Sequence, residues 1–307
     1  MGNMNNLIFE AFAYSNDMES GVNVSGVSDK ISLYLKNALV SLTSAKINNP
    51  DCDIALITNI EIPDFFLKLY AKFKIMIIKN EFDDFNFGPN YSWGLAFYKL
   101  CAIKAVLKKD YKNYLMIDTD TYIQSSLYDL WEETNYNIIL YDINHRLSIK
   151  NCKKFNDEIY SFTGQRKPLT NYGGEFIAGN KENLTKFIEE CKLVFDEMIS
   201  RKFITSHGDE FIIRIVAEKL RAIIKNGGGY VFRFWTGDFY LSSTCYKYNA
   251  VSVLHVPDEK NKGMIKIYSY LISYGHFPAI DKIYKLLHIN KKPFKYFIKK
   301  VLKHLKS

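Results

Sequence analysis

Cysteine is sparse and scattered in this 307-residue chain: Cys52, Cys101, Cys152, Cys191 and Cys245 never form a CxxC pair. That pattern argues against a zinc site or a disulfide framework, and all five are expected to be buried free thiols in a reducing compartment. No apolar run approaches the roughly 18–20 residues needed to span a bilayer. The opening MGNMNNLIFEAF lacks the basic segment and apolar stretch of a secretory signal. It also departs from a myristoylation start at Asn6, where Ser or Thr is wanted. There is no Pro/Ser-rich linker and no internal repeat. The expectation is a cytoplasmic chain with one main domain.

The chain is rich in core-forming residues, 48% hydrophobic against 24% charged, so a packed interior is expected and disorder is not. The formal net charge of +8 is confined to one place. Residues 281–307 hold nine lysines and one aspartate, leaving 32 basic and 32 acidic residues in 1–280. A neutral body with a basic end does not suit a nucleic-acid-binding surface spread over the fold. The division expected is a domain over 1–280 and a basic tail over 281–307.

The first half alternates strand-like and helix-like segments. Short apolar runs at 7–14, 53–59, 74–80 and 114–118 read as strands, the one at 53–59 as a buried strand. Between them, 31–45, 64–73 and 95–107 carry helical spacing. This rhythm predicts an α/β fold, a mostly parallel sheet with helices on both faces. In the second half, 138–143 reads as a strand, 182–198 and 211–220 as helices, and NGGGYVFRFW as a turn followed by a strand.

The chemistry centres on NYLMIDTDTYI, where Asp118, Thr119 and Asp120 follow the fourth strand. Ligands in such sheets sit beyond the carboxyl ends of the strands. Two carboxylates at this spacing can hold Mg²⁺ or Mn²⁺ against a diphosphate and assist its departure. Asp also closes many ordinary turns. A second reading takes Asp118 as the nucleophile of a haloacid-dehalogenase-like phosphohydrolase. Against it, Tyr122 stands at the fifth motif position and the motif begins far from the N-terminus. A third reading is a noncatalytic, membrane-associated sugar-binding protein.

Five segments in order make the sequence similar to the GT-A glycosyltransferases, especially family 8, with features of family 6. They are NALVSLTSAKINNPDCDIALITN, WGLAFYKLCAIKAVLKKDYKNYLMIDTDTYI, NYGGEFIAGN, HGDEFIIRIV and LHVPDEKNKGM, within roughly residues 7–265. The resemblance implies a GT-A, Rossmann-like mixed sheet. It also implies a metal-assisted hexosyltransferase that uses a nucleotide sugar, a UDP-sugar by preference, and retains anomeric configuration. Asp118, Asp120 and His255 would bind Mn²⁺ or Mg²⁺; the residues alone would make His255 a buried histidine closing the strand VSVLH. Lys99 would lie near the donor diphosphate, although a solvated helix lysine is the ordinary reading. Lys260 or Lys262 would neutralise that diphosphate, the two remaining open because the family spacing falls on Asn261.

By the same resemblance, Ala13 and Tyr14 would contact the nucleotide base, where Tyr14 could instead cover the sheet edge. Gly173 and Gly174 would let a sugar approach the backbone, or form a plain turn. Asp209 and Glu210 would bond sugar hydroxyls or stabilise charge at the anomeric carbon, though carboxylates at a helix start are favoured in any case. Glu175 joins them as a candidate catalytic acid, acidic where family members often carry a small or apolar residue. Joined to the Lys/Asn/Ile/Phe/Tyr-rich composition, the resemblance implies a bacterial enzyme extending a surface glycan such as lipopolysaccharide or capsule.

From Pro293, Phe294, Phe297, Ile298, Val301, Leu302 and Leu305 fall on one helical stripe with lysines around it. Such a basic amphipathic helix suits the plane of an anionic membrane, at roughly 1 kcal/mol per lysine near the surface. It would hold the protein to the inner face of the plasma membrane, beside a glycan or lipid-linked acceptor. Packing of the stripe on the body is the alternative.

Overall fold

The structure is a computed structural model that describes residues 5–15, 29–88, 91, 94–144, 147, 149–167, 169–236, 251–289, 298 and 301–302. Seven strands form the main sheet: β1 (Leu7–Phe12), β2 (Asp53–Thr58), β3 (Met76–Lys79), β4 (Asn113–Ile117), β6 (Ile138–Asp142), β7 (Tyr172–Asn180) and β8 (Ile224–Asn226). Their order is β3-β2-β1-β4-β7-β6-β8. The first four run parallel, β7 is antiparallel to both β4 and β6, and β8 is parallel to β6. A second sheet of three strands, β5 (Thr121–Ile123), β10 (Val253–His255) and β9 (Val231–Arg233), has β10 in its centre.

The runs of β1, β2 and β4 become strands buried on both faces, and the two-residue period divides each between two cores, whereas β3, at the sheet edge, is only partly buried. From β1, Ile8 and Phe12 face one cluster while Leu7 and Phe9 face the other. On the first side pack α1 (Lys30–Asn48) and α2 (Asp64–Lys72), with α8 (Gly263–Tyr274) and α9 (Ile280–Leu286) against them. On the second side lie α3 (Tyr98–Val106), α5 (Ile149–Thr163), α6 (Lys181–Ser200) and α7 (Asp209–Lys219). The short α4 (Tyr128–Thr134) joins β5 to β6. Helix starts are set locally: the Asp29 carboxylate accepts from Ser32 N at 2.9 Å and Asn180 Oδ1 from Asn183 N at 2.8 Å, each such cap worth about 1 kcal/mol.

Several expectations change. NYGGEFIAGN is a sheet strand, so the glycine pair lies within β7 and forms no turn. The helix expected at 95–107 begins as a 3₁₀ turn, Gly94–Phe97, before α3. The expected boundary at 280/281 falls inside α9, whose Ile283 and Tyr284 are buried, as are Leu287 and Ile289 beyond it. Tyr284 also donates to Gln124 Oε1 at 2.6 Å, so the chain up to Ile289 is part of the packed body. Most of the basic stripe lies outside the described residues; Ile298, Val301 and Leu302 are helical and exposed. Cys52, Cys101 and Cys191 are buried free thiols, but Cys152 is only half-buried, because α5 lies at the surface; Cys245 lies outside the described residues. Among the described residues, no helix is long and apolar enough to cross a membrane.

Candidate active site

A cavity of about 410 Å³ opens at the carboxyl ends of β1 and β4, where the sheet rule expects it. Its floor is the DTD turn. Asp118 follows β4 directly and its N–H donates to Glu175 O at 3.2 Å. Two residues on, Asp120 O accepts from Val256 N at 2.9 Å, and Thr121 pairs with His255 in the small sheet. One strand end therefore carries both aspartates and brings β10, with His255, against them.

Ligand atoms of Asp118, Asp120 and His255 all lie within 4.8 Å of one another. His255 Nε2 is 3.3 Å from Asp120 Oδ2 and 3.8 Å from Asp118 Oδ2. Two lysines complete the cluster: Lys99 Nζ lies 2.7 Å from Asp118 Oδ1, and Lys260 Nζ 3.1 Å from Asp120 Oδ2. Burial alone would raise the Asp120 pKa, but Lys260 and then His255 hold it well below the carboxylate range. Burial would likewise lower Lys99, Lys260 and His255, and the aspartates beside them more than reverse this.

The opposite wall comes from β7, α7 and β9. A register shift between Leu140 and Tyr141 lets β7 bulge between its pairs with β6, so that Gly174, Glu175 and Phe176 have no partner on that strand. Glu175, 1% exposed, accepts from Arg233 Nε at 2.5 Å. Arg233 Nη2 is also 3.5 Å from Glu210 Oε1. At the start of α7, Asp209 is pushed up to about 6, chiefly by burial, with Lys99 acting against it. Glu210 is pushed up to about 8 by burial, with Arg233 pulling it back. Gly174 is required by this arrangement: a Cβ there would stand 2.0 Å from Asp209 Oδ2.

The cavity thus gathers Ala13, Lys99, Asp118, Thr119 and Asp120 from the first half, and Gly174, Glu175, Asp209, Glu210, His255 and Lys260 from the second. Gly173 stands just behind this wall, under Glu175. Two expected residues are not brought in. Lys262 is exposed and outside the cavity, because the chain turns through Pro257–Glu259 and points only Lys260 inward. Tyr14 does not line the cavity either: Asn59 bonds its N–H at 3.0 Å and its carbonyl at 2.8 Å, and its ring packs on the α1-side core.

Sequence reasoning missed Tyr34 and Arg233. Tyr34 lines the cavity beside Ala13, stacks on Phe12 at 5.2 Å, and has Lys260 5.8 Å above its ring. It sits within the amphipathic pattern of α1 and gave no separate signal. Arg233 had one, a lone cation inside the apolar strand YVFRFW.

No protein-family model matches the chain, and no curated protein matches its sequence. Among solved structures it is similar to the apo form of mouse xyloside xylosyltransferase 1, with a TM-score of 0.52. Identity is 12%, over 82% of this chain and 97% of that one. The likeness is one of fold: the chain has the mixed α/β, GT-A-type architecture, a mostly parallel seven-stranded sheet flanked by helices.

Proposed function

We propose that the protein is a glycosyltransferase that moves a hexose from a nucleotide sugar, a UDP-sugar by preference, to a hydroxyl of a glycan or lipid-linked acceptor. The observation that carries this reading is the Asp118–Asp120–His255 cluster, with Asp120 and His255 buried and Asp118 half-buried, opening into a cavity at the carboxyl ends of β1 and β4. The donor set fits a divalent cation: two carboxylates and one imidazole converge, and Lys99 and Lys260 face the two aspartates. Oxygen-rich sites with one imidazole suit Mn²⁺ better than Mg²⁺, which prefers oxygen alone. Held by Asp118, Asp120 and His255, such a cation would neutralise charge on a departing diphosphate.

The chain's own side chains supply the remaining steps. Lys260 and Lys99, each already facing an aspartate, bind diphosphate oxygens beside the metal site. Tyr34 and Ala13 flank the nucleotide end. Asp209 accepts hydroxyl hydrogens of the donor sugar, and Gly174 leaves room for it. Glu210, at the same helix start, stabilises positive charge that develops at the anomeric carbon; retention of configuration is the outcome the family resemblance implies. The tail brings the enzyme to an anionic membrane on the cytoplasmic side, where a lipid-linked surface glycan would be extended in a bacterial cell.

The test is incubation with a panel of UDP-sugars and Mn²⁺, reading release of UDP and sugar transfer to glycan acceptors. Metal-dependent UDP release from at least one donor is expected. Phosphate release from simple phosphate esters, with trapping of an aspartyl-phosphate at Asp118, would overturn the reading and support a phosphohydrolase.

A further inference from the structure

Glu175 reaches both halves of the cavity. Its Oε1 accepts from Arg233 Nε at 2.5 Å and lies 3.4 Å from His255 Nδ1. The other nitrogen of that imidazole, Nε2, faces Asp120 and Asp118. His255 Nδ1 is fully buried, and the Glu175 carboxylate 3.4 Å away is the acceptor that faces it, which matters because an unpaired polar atom in an interior is costly. The backbone around Glu175 is built for this placement. The β7 bulge turns the residue out of register, and its carbonyl holds Asp118 N–H at 3.2 Å. Gly173 provides the space: a Cβ there would stand 1.8 Å from Glu175 Oε2 and 2.7 Å from Arg233 Nη2.

Resting on the metal-and-donor reading of this cavity, we infer that Glu175 is a positioning residue whose single carboxylate orients both His255 toward the metal and Arg233 toward Glu210. Its charged partners are Arg233 and His255, and it acts through them. A carboxylate on the far nitrogen of a metal-binding imidazole fixes the ring's orientation and tautomer and raises its basicity. The same oxygen fixes the Arg233 guanidinium, whose other arm lies 3.5 Å from Glu210. Metal capture and the setting of the sugar-side carboxylate are thereby joined through one side chain.

The experiment is Mn²⁺ binding to the full chain without nucleotide, followed by the electron paramagnetic resonance signal of free Mn²⁺. Wild type, Glu175→Ala, Glu175→Gln, His255→Ala and the Glu175→Ala/His255→Ala double variant are compared, each first shown to be folded by circular dichroism. Glu175→Ala is expected to weaken Mn²⁺ by about 10- to 100-fold. Glu175→Gln, which keeps an oxygen acceptor, is expected to recover most of that loss. The double variant should bind no more weakly than His255→Ala alone, because Glu175 acts through the histidine. Gly173→Ala, which removes no ligand, should reproduce the Glu175→Ala effect.

Wild-type binding with Glu175→Ala within about threefold of it would overturn the inference and leave the metal site standing. So would losses that add in the double variant, because they would mark a plain charge effect. Absence of Mn²⁺ binding in wild type would overturn both the inference and the metal reading beneath it.

Discussion

Lys260 and Lys262 are two residues apart, yet their removal should have very different consequences. The Lys260 side chain is 13% exposed and sits 3.1 Å from Asp120, whose own side chain is 1% exposed. In Lys260→Met the apolar stem is largely kept and the ammonium is lost. The Asp120 carboxylate then faces only His255 across the cavity. Removing one partner of a buried ion pair costs about 3–5 kcal/mol, and the remaining histidine argues for the lower end. At about 2 °C per kcal/mol for a chain of this size, melting should fall by roughly 6 °C. Lys262→Met changes an exposed side chain and should stay within about 0.5 kcal/mol.

Mn²⁺ sharpens the comparison. Added at about 100 times its Kd, a ligand of the folded state contributes about 2.7 kcal/mol. That gain should be larger in Lys260→Met than in wild type, because no ammonium competes for Asp120. Thermal melts of the three proteins, with and without Mn²⁺, decide the matter. Equal melting temperatures for the two lysine variants would refute the reasoning.

Glu10, in the middle of β1, is fully buried with neither carboxylate oxygen hydrogen-bonded, and burial pushes its pKa well above the ordinary value. Its native state binds the proton more tightly than its unfolded state, so stability is lost as pH rises from the unfolded pKa toward the folded one, by about 1.4 kcal/mol per unit. Glu10→Gln should remove that slope, so urea titrations at pH 5 and pH 7.5 should show the variant's advantage growing with pH; a constant gap would contradict this. Glu210, at about 8, is protonated in much of the population at neutral pH. If its carboxylate is the active form, kcat/KM should climb between pH 7 and 9, and the climb should vanish in Glu210→Gln. Deleting residues 290–307, which leaves α9 and Ile289 in place, should release the protein from anionic liposomes while donor hydrolysis continues; retained liposome binding would refute the membrane role of the tail.

The parallel half of the sheet was legible because strands buried on both faces leave short, mostly apolar runs, as in LIFEAF, interrupted only by Glu10, and NYLMI. Asp118 and Asp120 were legible because the strand preceding them is unmistakable. β7 was not legible as a strand: Gly173 and Gly174 read as room for a sugar against the backbone or as a plain turn, whereas they make room for Glu175 and Asp209 inside the sheet. For Gly174 that requirement is set by Asp209, and for Gly173 by where Arg233 holds the Glu175 side chain, so it depends on residues far away in sequence and cannot be seen locally. The choice of Lys260 over Lys262 was hidden for the same reason, since the turn at Pro257–Glu259 decides which lysine faces inward. Arg233 could have been suspected, because a lone cation within an apolar strand must be paired once that strand is buried. The pairing with Glu175 depends on the β7 bulge, which leaves no mark in the sequence.

The most direct test of the central claim is calorimetric titration of UDP, with and without Mn²⁺, into wild type and an Asp118→Ala/Asp120→Ala variant. The account expects binding by wild type that requires Mn²⁺ and is lost in the variant. UDP binding that is indifferent to both the metal and the two aspartates, or no UDP binding at all, would contradict it.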